Sequence, residues 1–423
     1  MAEPSVEGRG GVPGGVLAAQ VRSLARPLGE RDFALLFAGQ ACSLLGDQLA
    51  VVALPFLVLG RATPRELGLV LAAFGLARAL AVPLGGVLAD RFSRARVMFA
   101  SDAGRAVVVA LVALVALAGG TTIWPLVALM GLLGAMEGLF LPPSFAVLPE
   151  LVPAEQLAAA NALSRGASNA AILFGPAVAG LVVAVLSPGV ALAGDAVTFV
   201  VSAISLGLIR GRHRRVAPAP AAEVDSRVSF PAIVRSSRVL QFSLLITLVV
   251  NLTYAGMTEI ALPVLSRNVL MRGSAGFGAV LAAYGAGALA GALLSDAFTR
   301  APRRGTAALG LGMAQGLVMA LVPFAAGAGG IVAVGACMAL AGLTSGVLNV
   351  FYVAALQRRL PGHLLGRAMS LVTLSAIGAN PVSVLAAGVL VGRLGPDPMF
   401  AVAGALIVVA FALGLLSPEF KAL

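Results

Sequence analysis

The sequence predicts an all-α membrane protein: twelve transmembrane helices arranged as two pseudo-symmetric six-helix halves. Three observations carry this expectation: composition, apolar runs of spanning length, and an internal repeat. Of 423 residues, 59% are hydrophobic and 11% charged, and the mean hydropathy is +1.00. A soluble domain is about a quarter charged, so too little charge is present here to cover a water-facing surface.

A hydrocarbon core about 30 Å thick needs roughly 20 apolar residues per helix. Runs of that length occur at 33–59 (α1), 67–89 (α2), 97–118 (α3), 123–147 (α4), 157–186 (α5) and 190–209 (α6). After an arginine-rich segment follow 240–265 (α7), 276–298 (α8), 305–326 (α9), 331–355 (α10), 368–394 (α11) and 398–416 (α12). Lipid admits only helices or closed barrels, and these runs lack the alternation of barrel strands.

The net charge of +11 reads as topology, since the arginines lie between apolar runs and do not form a nucleic-acid-binding patch. With the N-terminus inside, 21 Lys and Arg fall in cytoplasmic segments. Only five (Arg61, Arg65, Arg267, Arg272 and Arg393) fall outside, and Arg78, Arg105 and Arg165 lie within spans. That imbalance predicts both termini in the cytoplasm. Cys42 and Cys337 both sit in apolar runs, which excludes a disulfide framework. The start lacks a basic region followed by an apolar one, so no cleaved signal peptide is expected.

The repeat divides the chain. Ala53-Leu54-Pro55 returns as Ala261-Leu262-Pro263, and Val70 to Gly75 returns as Val280 to Gly285. Gly85 to Arg94 returns as Gly291 to Arg300, and Pro153 with Leu157 as Pro361 with Leu365. The offsets lie between 206 and 210. The expected organisation is a disordered cytoplasmic tail (1–30), a first half (31–209), a cytoplasmic linker (210–238), a second half (239–417) and a short tail (418–423). The linker holds seven arginines and Ala-Pro-Ala-Pro-Ala, a solvated composition. Parallel halves related by an axis along the membrane normal characterise one class of secondary transporter.

The stretch Gly85-Gly86-Val-Leu-Ala-Asp90-Arg91-Phe-Ser-Arg94 resembles the helix 2–3 signature of the major facilitator superfamily, with Ala95 departing from its last basic position. Within it the chain resembles drug:proton antiporters that include macrolide-efflux and enterobactin-export proteins. The residues behind this are Ser43-Leu-Leu-Gly46-Asp47, Asp102-x-x-Arg105, Leu148 to Pro153 through Asn161, and Gln357-Arg358-x-x-Pro361 through Arg367. Gly175, Pro176 and Gly180 in α5 are similar to the antiporter motif, with Ala171 and Ala179 replacing two of its glycines. In the family that motif accompanies export, whereas small residues alone would also serve close packing. The buried arginine that many drug antiporters carry in helix 4 is missing, and Glu137 stands there instead.

Ionisable groups inside spans are costly and therefore candidates for function. The helix 1/helix 7 match maps Glu259 onto Val51, four residues after Asp47, so the two halves present carboxylates on equivalent faces. The resemblance places both on cavity-lining helices. Asp47, Glu259 and Glu137 are the expected proton-coupling groups, with Glu137 alternatively neutralising Arg78 or Arg165. The family pattern puts Gly86, Asp90, Arg91 and Arg94 at a cytoplasmic gate, with Asp296 and Arg300 in the second copy; Ala297 replaces the Arg91 equivalent. Asp102 and Arg105, three apart, are expected to pair structurally. Asn251, Tyr254, Phe56, Phe140, Tyr284 and Phe351 are candidates for a substrate cavity, and Trp124 for an interfacial anchor. Asp195 is expected near the outer end of α6, solvated.

The expected function is secondary active export of amphipathic small molecules by proton antiport with alternating access. Uptake or uniport of a small solute on the same fold is the alternative. The expected setting is a bacterial inner (plasma) membrane, the partners are a small-molecule substrate, protons and lipid, and the expected state is monomeric. No nucleic acid, cofactor or metal is expected. His213 and His363 lack ligand partners, no nucleophile–base cluster suggests an enzyme, and no Walker-type phosphate loop suggests an ATPase.

Overall fold

The computed structural model describes residues 23–119, 122–210, 238–299, 303–359 and 362–421. Most of the expected linker, the first 22 residues, His213 and Arg300 lie outside the described residues. The described residues form twelve long helices: α1 (Arg31–Leu59), α2 (Pro64–Arg91), α3 (Arg94–Leu117), α4 (Ile123–Ala146), α5 (Leu157–Val185) and α6 (Pro188–Gly207) in the first half. The second half holds α7 (Arg238–Asn268), α8 (Gly273–Thr299), α9 (Arg304–Ala320), α10 (Val322–Arg359), α11 (Gly362–Leu394) and α12 (Asp397–Gly414). Eleven segments satisfy spanning length and hydropathy; α9, at 17 residues, is one short of the length required.

Local chemistry sets several starts. Thr63 and Glu66 close a capping box on α2, with Pro64 in its first turn: Thr63 N–H donates to Glu66 Oε2 at 2.8 Å and Glu66 N–H to Thr63 Oγ1 at 3.3 Å. Ser93 caps α3 and Ser187 caps α6, each through its hydroxyl. Two boundaries differ from expectation. The α9/α10 break falls after Ala320, and the chain turns again at Gly330, whose φ of 59° with ψ of −143° suits only a residue without Cβ. The other is α7, where a single π turn, Gly256–Ala261, interrupts the α-helix. Pro263, just after the π turn, has no N–H to give the carbonyl four residues back, that of Glu259.

The repeat is visible in packing. Gly134 and Gly138 of α4 lie against the backbone of Phe74 and Arg78 in α2. Gly342 and Gly346 of α10 lie in the same way against Tyr284 and Ala288 in α8. Between the halves, Gly68 of α2 meets Gly388 of α11, and Gly180 of α5 meets Gly278 of α8; ideal Cβ atoms would stand 3.0–3.2 Å from the facing glycine Cα. Both crossings lie toward the end of the bundle remote from the termini. There too Arg267 donates to the carbonyl of Leu59, and Phe56 packs on Phe277 at 5.9 Å.

Candidate functional site

A central cavity of about 460 Å³ lies between the halves, on the terminus side of the glycine crossings. Its apolar walls include Leu54, Leu71, Phe74, Met130, Leu133 and Phe199. Six ionisable side chains also line it: Asp47 from α1, Arg78 from α2, Arg105 from α3, Glu137 from α4, Asp195 from α6 and Glu259 from α7. The structure thus brings all three expected proton-coupling carboxylates, Asp47, Glu137 and Glu259, to one space.

Their partners differ. Glu137 is held by Arg78, Oε1 to Nη2 at 3.2 Å. The expected Asp102–Arg105 pair is present at 3.4 Å, and Ser202 Oγ donates to the second Asp102 oxygen at 2.6 Å. Asp102 is fully buried behind the cavity wall. The Arg105 guanidinium also lies over the rings of Phe140 and Phe199, 4.6 and 5.3 Å from their centroids. Its Nε is buried without a hydrogen-bond partner. Glu259, in the π turn, accepts a hydrogen bond from the Asn380 side chain of α11 at 3.0 Å. One turn on, Ser383 Oγ accepts from Gly256 N–H at 2.7 Å, which fixes the π turn against α11. Asp47 has neither an ion pair nor a side-chain hydrogen bond among the described residues.

Asp195 departs from expectation. It is 1% exposed, not solvated, and its carboxylate accepts from the Thr198 hydroxyl at 3.4 Å. The signal for its burial was Gly46: a Cβ there would stand 2.5 Å from Asp195 Oδ1, so α1 passes over α6 at glycine distance beside Asp47. Asn380, Arg78 and Arg105 were likewise not foreseen as cavity residues, because each comes from a different helix and no linear spacing joins them.

The six substrate candidates sit elsewhere in this conformation. Tyr254 and Tyr284 stack at 5.4 Å, and the Tyr284 hydroxyl meets Ser345 at 3.1 Å. Phe351 is buried with Phe298 and Tyr352, Phe56 packs on Phe277, Phe140 backs Arg105, and Asn251 bonds its own helix at Thr247. At the expected gate, Gly86 is half-buried, and Asp90 and Arg91 are exposed in the last turn of α2. Arg94 turns into its own half, donating to Glu150 at 2.5 Å and to the Ala146 carbonyl at 3.1 Å. Asp296 is exposed near the end of α8. Gly175 of the antiporter-like motif packs on Gln48 of α1, whereas Pro176 and Gly180 meet α8 across the halves. Trp124 is exposed at the start of α4.

Two six-helix halves joined by paired small-residue crossings around a charged central cavity match one family model, Major Facilitator Superfamily, over residues 36–379. The chain belongs to the Major Facilitator Superfamily. It is 29% identical over 384 residues to the multidrug efflux pump Tap of Mycobacterium tuberculosis, covering 87% of this chain and 88% of that one. To macrolide efflux protein A of Streptococcus pyogenes it is 23% identical, covering 89% and 93%. To the uncharacterized MFS-type transporter YfiS of Bacillus subtilis it is 32% identical over 37% of each chain, so it matches little more than a third of that relative. Among solved structures, a bacterial homologue of the iron transporter ferroportin in its inward-facing state superposes with TM-score 0.70 at 17% identity, covering 93% and 99%. The POT family transporter PepTSo gives 0.72 at 13%, with the same coverage. These likenesses extend the superfamily fold over nearly the whole chain, and as a superfamily member the protein is a multi-pass membrane transporter.

Proposed function

We propose that this transporter is a secondary active exporter of amphipathic small molecules, exchanging substrate for protons by alternating access. The observation that carries the reading is the charge balance of the central cavity. Arg78 and Arg105 are matched by Glu137 and Asp102, which leaves Asp47, Asp195 and Glu259 without an ion pair among the described residues, within apolar walls. A carboxylate in such a place is stabilised by either a proton or a substrate cation, and that exclusivity is what antiport requires. Amphipathic cations therefore fit the cavity better than anionic siderophores. The relatives named as multidrug and macrolide efflux pumps support the direction, as does the Gly175-Pro176-Gly180 motif.

With both termini in the cytoplasm of a bacterial cell, the glycine crossings close the outer end, and the cavity belongs to an inward-facing state. Asp90, Arg91, Arg94 and Asp296 stand at the cytoplasmic end, where a gate would form as the outer end opens. A monomer contains the whole pathway.

The test uses proteoliposomes with an imposed pH gradient and a panel of lipophilic cations, macrolides and catecholate siderophores. Substrate-dependent proton flux is expected with cations and macrolides, and its loss in Asp47→Asn while the protein still inserts. Substrate movement without proton flux, or full pH-driven transport by Asp47→Asn, overturns the coupling and leaves uptake or uniport as the working reading.

A further inference from the structure

A second cavity, of about 410 Å³, lies apart from the central cavity, at the terminus end of the first half. It is enclosed by the start of α3, the short helix Leu148–Leu151 between α4 and α5, and the end of α6. Three charged side chains line it: Arg96, Glu150 and Arg210. Glu150 is already engaged by Arg94 and does not neutralise the others. The side chains of Arg96 and Arg210 are exposed and make no hydrogen bond or ion pair among the described residues. The Asp32 carboxylate accepts from the Arg210 backbone N–H at 3.5 Å but pairs with Arg31, so the cleft keeps an excess of positive charge.

Its other wall is apolar and continues onto the outer surface of the bundle. Phe99 is 42% exposed, and its ring lies 3.4 Å from the place a Cβ would take on Gly207 of α6. Ile204 and Leu208 extend the same strip on α6 and are exposed. Depth orders these groups. Arg96 stands in the first turn of α3 and Arg210 just beyond the end of α6, while Phe99 lies roughly 5 Å and Ile204 roughly 9 Å further into the bilayer. A soluble anion would meet only the arginines, and an apolar molecule only the strip. An amphiphile with an anionic head meets both in the right order.

We propose that this cleft binds an anionic glycerophospholipid from the leaflet on the terminus side. Arg96 and Arg210 hold the phosphodiester, and an acyl chain runs past Phe99 and Ile204. Arginine suits the phosphate because its planar fork offers paired donors. All lining residues belong to the first half, so the lipid braces α3 and α6 against the α4–α5 connection without touching the central cavity. The inference rests on the membrane fold alone and stands or falls independently of export.

The experiment is native mass spectrometry of the full-length protein with phosphatidylglycerol or phosphatidylcholine added at matched acyl composition. Phosphatidylglycerol is expected to be retained preferentially. Each of Arg96→Gln and Arg210→Gln should lower that preference about fivefold and the double variant about 30-fold, as for basic residues at an anionic surface. Arg96→Lys and Arg210→Lys should keep most of it, which guards against a double variant that fails to fold. Arg393→Gln, on the opposite face, should leave it unchanged. Equal retention of the two lipids, an equal loss in Arg393→Gln, or displacement by millimolar inorganic phosphate would each overturn the proposal.

Discussion

Gly388→Leu should force the two halves apart at the end remote from the termini. A Cβ at position 388 would stand 2.9 Å from the Pro64 carbonyl oxygen, 3.2 Å from the Gly68 Cα and 3.3 Å from the Arg65 Cα. All three are backbone atoms of α2 or its first turn, so no side chain can rotate out of the way. Carbon contacts settle near 3.5–4.0 Å, and three further leucine carbons need room beyond the Cβ. Overpacking of this kind costs about 1–3 kcal/mol. The cost falls only on the conformation in which α2 and α11 cross here, so its population should drop by a factor of about 5 to 150. Spin labels at Trp124 and Met271, both exposed at this end and on opposite halves, would report the change in a background lacking Cys42 and Cys337. A longer-distance population is expected to grow in Gly388→Leu and to grow less in Gly388→Ala. The repeat supplies an internal control, since Gly278→Leu disturbs the equivalent crossing with Gly180 and should shift the same distribution in the same direction. An unchanged distribution in a folded Gly388→Leu protein, or opposite shifts in the two variants, would refute the reasoning.

Two further outcomes follow from the first half. Asp102→Ala leaves Arg105 buried without its carboxylate and should cost about 3–5 kcal/mol, read as a lowered thermal transition in detergent; Asp102→Asn, which keeps an acceptor for Ser202, should cost less. Gly46→Val would press against Asp195 and Thr198 and separate α1 from α6, so transport should fall well before folding does. Normal transport by that variant would argue that the Asp47–Asp195 neighbourhood is not part of the pathway.

The spans were legible because lipid leaves few options: an apolar run of spanning length must be a helix, and nine of the twelve expected ranges fall within observed helices or run past an end by one residue. The halves were legible because repeated elements such as Ala53-Leu54-Pro55 and Ala261-Leu262-Pro263 sit at nearly one offset. The π turn was not, since Pro55 and Pro263 read alike and only one helix widens. Asp195 was misread because its distance from a helix end suggested water, while the residue that buries it, Gly46, lies in another helix. The aromatic candidates were chosen for helix membership, but which face a residue presents depends on packing partners. Tyr254 meets Tyr284 and Phe351 meets Tyr352, contacts that no spacing within one helix encodes.

The scaffold is symmetric and its chemistry is not. Gly138 lies on the Arg78 carbonyl and Gly346 on that of Ala288, so Arg78 and Ala288 occupy matching places; Glu137 matches Ser345, and Asp47 matches Ala255. Five of the six ionisable residues lining the cavity come from the first half, and the second supplies Glu259 alone. Glu259 is also hydrogen-bonded to a residue of its own half that packs against the other half. Its partner Asn380 sits on α11, and the Asn380 Oδ1 lies 3.1 Å from the place a Cβ would take on Gly75 of α2. On the proposed mechanism, separating α2 from α11 withdraws Gly75 from Asn380 while the bond to Glu259 can persist. The environment of that carboxyl then depends on whether the outer crossing is open. Asp47 and Asp195 both belong to the first half and have no comparable contact with a residue at the α2–α11 crossing among the described residues. The exchange of proton for substrate charge should therefore centre on Asp47 in the first half, and Glu259 should tie its own protonation to the state of the outer crossing.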